Sequence, residues 1–77
     1  MGKSVAALLG PGLVSRRLSV ERAHIVLVRA HLEASEGLGI MFAERGGELT
    51  LATPEGNARE LDAFIDDLCA ELGARRL

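Results

Sequence analysis

The chain has no Trp or Tyr, two Phe, two Pro and a single Cys among its 77 residues. With Phe42 and Phe64 as its aromatics, the core has to be built from Leu, Ile and Val. The stacking platforms on which proteins lay single-stranded nucleic acid are also missing. One thiol, Cys69, excludes an internal disulfide and suits a reducing compartment. No apolar run reaches the roughly 20 residues of a membrane span. The Val5 to Leu9 run after Lys3 falls short of the roughly seven apolar residues of a secretory signal. The Met-Gly start has Ala6 where an acylation site has Ser or Thr. A cytoplasmic protein is the resulting expectation, with residues 1–13 as a flexible or partner-docked N-terminal arm and residues 14–77 as one domain.

What is present is aliphatic, with acids and bases in near balance overall. Hydrophobic residues make up 48% of the chain, enough for a folded domain near the lower size limit for a single core. The net charge of −2 gives no strong pull toward nucleic acid. It is unevenly spread: residues 1–31 hold five Lys/Arg and one acid, and residues 32–77 hold ten acids and four Arg.

Val14 to Val20 alternates as a strand, with Leu18 and Val20 inward. Ser19 then reads as the N-cap of a helix from Val20 or Glu21 to Glu36, stopped by Gly37. His24 to Val28 has strand propensity, but an apolar pattern continuing to Ala34 decides for a helix. Its polar residues, Arg22, Arg29, Glu33 and Glu36, form one narrow strip. The remaining arc is wider than one sheet needs. A second surface is therefore expected on it: the last helix, the N-terminal arm or another subunit.

Gly46-Gly47 suits a two-residue hairpin turn. Arg45 then faces Glu48, Phe42 faces Leu51, and Met41 faces Ala52. Ile40, Phe42, Leu49 and Leu51 would share the core face, with Met41, Ala43, Thr50 and Ala52 on the other. Beyond Pro54, Asn57 and Glu60 have capping-box spacing. Leu61, Phe64, Ile65, Leu68 and Leu72 form one helical stripe ending at Gly73.

The order strand, helix, strand, strand, helix predicts an α+β fold: a two-layer βαββα sandwich, ferredoxin-like but lacking the fourth strand. Two helices cover one face of a three-stranded antiparallel sheet whose third strand is central. The first strand is left at an edge, guarded by Arg16 and Arg17.

The stretch SVERAHIVLVRAHLEASEGLGIMF, followed by a short hairpin and an amphipathic helix, resembles the bacterial family catalogued as domain of unknown function 4911. Leu32-Glu33-Ala34-Ser35-Glu36-Gly37-Leu38 carries the likeness, which spans about residues 16–72. Ser35 departs from the aromatic residue common in the family at that place. The resemblance implies the βαββα fold and brings no activity, cofactor or catalytic residue with it.

No arrangement for catalysis can be placed, so an enzyme is not expected. His24 and His31 share a helical side and could supply two metal ligands, but a site needs three or four. Cys69 beside Leu68 fits a small core residue. The glycine pairs lack the Lys-Ser/Thr and following helix of a phosphate loop. No cofactor or metal is expected. The leading expectation is a non-catalytic interaction module, a homodimer or a partner of another protein. It would use the open strand edge and the face of Met41, Ala43, Thr50 and Ala52, with Arg16 and Arg17 beside them. Two alternatives stand behind it: a regulatory domain binding a small molecule near Glu36-Gly37-Leu38-Gly39, and a weak nucleic-acid binder using Arg16, Arg17, Arg22 and Arg29.

Overall fold

A computed structural model describes residues 12–35 and 37–77 of the chain; residues 1–11, to which most of the expected arm belongs, and Glu36 lie outside this description. The elements are β1 (Leu13–Ser19), α1 (Ile25–Ala34), β2 (Ile40–Ala43), β3 (Glu48–Pro54), α2 (Ala58–Leu72) and β4 (Arg75–Arg76). The fold is α+β, with two helices and an antiparallel sheet in the order β2-β3-β1-β4. The third strand is central, as the pattern predicts.

The sheet has four strands rather than three. Gly73 closes α2 in a left-handed conformation (φ 70°) that costs glycine nothing and other residues about 1–2 kcal/mol. The chain turns there, buries Ala74, and lays Arg76 against Leu18 and Arg75 against Ser19. The Leu77 N–H donates to the Arg17 carbonyl at 3.0 Å. The edge of β1 is therefore covered over its second half. Two residues suffice because the Arg76 guanidinium also donates to Asp66 Oδ1 at 2.9 Å and to Asp62 Oδ1 at 3.4 Å.

The hairpin register corrects the two-residue turn. Its loop holds three residues, Arg45–Gly47, and the Glu44 N–H donates to the Glu48 carbonyl at 2.7 Å. Met41 therefore faces Leu51, Phe42 faces Thr50, and Ala43 faces Leu49. A shift of one residue moves every side chain of a strand to the opposite face. Met41 packs against the core, while Ile40 and Phe42 lie 48% and 36% exposed; the expectation that both enter the core fails. The cause is distant in sequence. Gly47 is buried against the end of β1, its carbonyl accepts from the Val20 N–H at 2.9 Å, and a Cβ there would collide with the Val20 carbonyl. Gly47 is thus used for close approach as well as for its positive φ of 88°.

Leu18, Leu49 and Leu51 from the sheet, Val28 and Leu32 from α1, and Leu61, Ile65 and Leu68 from α2 form one core. The stripe predicted for α2 is observed, with Phe64 and Leu72 half-buried beside it. Its capping box is not: Asn57 makes no side-chain cap bond, and its amide donates to the Gly37 carbonyl at 3.4 Å, tying the loop after α1 to the start of α2.

Helix α1 is shorter than predicted. A 3-10 turn over Arg22–His24 leads into it, and Ser19 stays in β1, paired with Glu48 and Arg75, rather than capping. At the other end Ser35 donates its N–H to the His31 and Leu32 carbonyls and its hydroxyl to His31, ending the helix before Gly37. No described helix is long and apolar enough to cross a membrane.

Candidate interaction surface

The six residues singled out in the sequence do not form one surface. Thr50 and Ala52 lie on the sheet face away from the helices, opposite Arg17 and Ser15 of β1 and opposite Phe42 and Ile40 of β2. Met41 and Ala43 lie on the helix-facing side with Leu51 and Leu49. The small-residue face of Met41, Ala43, Thr50 and Ala52 therefore does not exist; the register shift splits it in two.

Arg16 and Arg17 are also separated by the strand's alternation. Arg16 points toward α2. Its Nε donates to Asp62 Oδ1 at 3.0 Å, and its guanidinium also donates to the Ser15 carbonyl at 3.0 Å. The hydrogen bond from Arg16 holds the Asp62 carboxyl below the usual carboxylate range, and Arg76 adds to the effect. Arg76 in turn is raised further above its ordinary value, first by its bond to Asp66. Arg17 points to the open face, where it pairs with Glu48 at 2.8 Å and lies 4.0 Å from Glu44. Glu44 accepts the Thr50 hydroxyl at 2.7 Å. Both arginines expected to guard the edge of the first strand are thus partnered by carboxylates.

Two further exposed features are apolar. Ile40 and Phe42 project from β2, the outer strand, onto the sheet face away from the helices and are exposed, while Thr50 and Ala52 beside them are buried. Across Ile40–Ala43 no charge or proline interrupts the outer backbone edge, which pairs with no other described strand; the shortness of the strand, four residues, limits that edge. On the helix side, Val26 and Leu27 of α1 are 73% and 44% exposed. A three-residue reading of the Arg45-Gly46-Gly47 turn would have revealed the first of these features.

Among the described residues no group of three or more His, Cys, Asp or Glu stands together as a metal site. His24 Nδ1 is buried and meets no hydrogen-bond partner among the described residues, His31 is exposed, and Cys69 packs half-buried against the core. Two adjoining depressions between the end of α1 and α2, of about 280 and 440 Å³, share Ser35, Phe64 and Asp67. Both are open to solvent, and no buried polar group converges on them.

A family model described as Domain of unknown function (DUF4911) matches residues 18–72. The chain belongs to that family. The match runs from Leu18 in β1 to Leu72 at the end of α2, so it takes in both helices and the hairpin, but not β4. No curated protein and no solved structure matches the chain. Membership in DUF4911 assigns no chemistry to any residue of the chain.

Proposed function

We propose that this DUF4911 chain is a non-catalytic protein-interaction module that self-associates through its sheet, using the β2 edge and the open face beside it. The observation that carries the reading is the exposure of Ile40 and Phe42 on an edge strand without charge or proline. Unpaired N–H and C=O groups at such an edge accept another strand, and neighbouring apolar side chains supply the area that backbone bonds alone do not. A second copy fits because it brings the same edge, so two chains can continue one antiparallel sheet about a two-fold axis. A chain of this length also gains core by pairing.

The strand order, with its fourth strand cut to two residues, supports the finer description of a ferredoxin-like domain with a vestigial last strand. A cytoplasmic location accords with the single thiol. The carboxylate partners of Arg16 and Arg17 weigh against nucleic-acid binding.

Light scattering on size-exclusion fractions tests the proposal. The wild-type chain is expected at twice the chain mass or a multiple of it in the micromolar range, and Ile40→Lys with Phe42→Lys at a lower mass with an unchanged circular dichroism spectrum. A mass that the double substitution leaves unaltered overturns the sheet as the contact.

A further inference from the structure

Helix α1 is apolar on the side opposite its buried stripe. At 100° per residue, Val28, Leu32 and Ile25 centre on the core direction, and Val26, Ala30, Ala34 and Leu27 centre on the reverse direction. All four of the latter are exposed. A helix serving one sheet has no reason to place Val and Leu there. The polar strip on one flank carries Arg29 and Glu33. These residues are spaced to pair with each other along the helix, yet neither makes an ion pair among the described residues.

We infer that the outer face of α1 receives the α1 of a second copy, packed antiparallel about a two-fold axis near Ala30 and His31. Charge complementarity selects this occupant. A two-fold axis perpendicular to the helix pair keeps like flanks on one side and reverses their direction. Centred at the level of residue 31, it sets Arg29 of each copy level with Glu33 of the other. The same centre puts Ala30 one residue from the axis, where a small side chain allows close approach, and brings Ala34 within one residue of the level of the partner's Leu27, small against large. A parallel arrangement would instead put the two Arg29/Glu33 flanks on opposite sides of the pair, where they could not meet. The apolar back of α1 is a different face from the sheet, while its Arg29 and Glu33 flank adjoins Ile40 and Met41 of β2; the inference stands whether or not the sheet contact does.

The test is thiol cross-linking in the full chain with Cys69→Ser, in a Phe42→Lys background that removes the sheet contact. Ala30→Cys is compared with Ala63→Cys, an exposed alanine on α2. Thiols held at a two-fold axis react as a paired set, so Ala30→Cys is expected to form disulfide-linked dimer about tenfold faster or more under mild oxidation. Arg29→Glu should slow that reaction by setting carboxylates opposite each other, and Arg29→Glu with Glu33→Arg should restore it. Apart from the half-buried Cys69, the positions changed are solvent-facing, and circular dichroism checks that each variant folds. Equal rates at Ala30 and Ala63, or a charge exchange that restores nothing, overturn the inference. If Phe42→Lys leaves the mass in solution unchanged while Ala30→Cys still cross-links, the sheet reading fails and this one survives.

Discussion

Helix α2 buries Leu61, Ile65 and Leu68 along one stripe and turns Asp66, Asp67 and Glu71 to water, whereas α1 buries Val28 and Leu32 and leaves Val26 and Leu27 outside. Both helices contribute to the same core. The difference lies in how many surfaces each one serves. A one-sided helix carries a charged back, and its pattern can be read directly. A helix with an apolar back carries two overlapping patterns, and neither its boundaries nor its neighbours follow from periodicity alone.

The sharpest way to break this contrast is to remove core from α2. Ile65 has no exposed surface, and Ile65→Ala should cost about 2–5 kcal/mol, from lost burial plus the cavity left behind. Urea unfolding of the variant at fixed protein concentration measures it. A loss below about 1 kcal/mol would mean that the stripe of α2 does not carry the fold.

Next in size are two glycines that position the helices by different means. Gly73 ends α2 locally, with open space around it, so Gly73→Ala should cost about 1–2 kcal/mol from its left-handed backbone. Gly47 fixes the lead-in to α1 through its contact with Val20. Gly47→Ala adds a collision with the Val20 carbonyl to the backbone strain, and its cost should exceed that of Gly73→Ala. Equal midpoint shifts would show that the entry to α1 does not depend on the hairpin loop.

That pair of glycines also marks where the fold is legible in the sequence. The stripe of α2, its stop at Gly73 and the central place of the third strand all follow from local pattern and connection rules. The hairpin register does not, because Gly46-Gly47 satisfies a two-residue turn as well as it does a three-residue loop. A contact with Val20, more than twenty residues earlier in the chain, decides between them. Ser19 was misread for the same reason: a good capping residue was already paired in the sheet. The candidate surface inherited the error. Once Phe42 moves to the open face, Met41 and Ala43 move under the helices, and only Arg17, Thr50 and Ala52 remain together. The excess of apolar residues on α1 was visible in the sequence, and the structure leaves it exposed.

A smaller effect separates the polar sides of the two helices. Asp62 of α2 is held to the sheet by Arg16 and Arg76, while Arg29 and Glu33 of α1 hold nothing described. The carboxyl of Asp62 is depressed in the folded chain, chiefly by the Arg16 hydrogen bond. Its contribution is therefore complete above the unfolded carboxylate value near about 3.9 and is lost as pH falls through the lower folded value. Asp62→Asn should flatten the fall in stability below about pH 4 and change little at neutral pH beyond the loss of the pair itself, since exposed ion pairs contribute weakly. Parallel acid profiles for wild type and variant would show that the anchor of α2 carries no linkage.

The smallest effect on the isolated chain is expected at Val26, and that smallness is informative. At 73% exposure the side chain has little burial to lose, so Val26→Ser should shift monomer stability by no more than about 0.5 kcal/mol. Val28→Ser, two residues on, removes a side chain with no exposed surface and should be far worse. The two changes should diverge again on dilution. Binding to the folded state raises the apparent melting temperature with protein concentration. If α1 is shared between copies, the wild-type melting temperature climbs across a concentration series and that of Val26→Ser climbs less, although their dilute limits nearly coincide. A Val26→Ser chain already destabilised at high dilution would place Val26 under cover within its own molecule, and the apolar back of α1 would then serve the monomer alone.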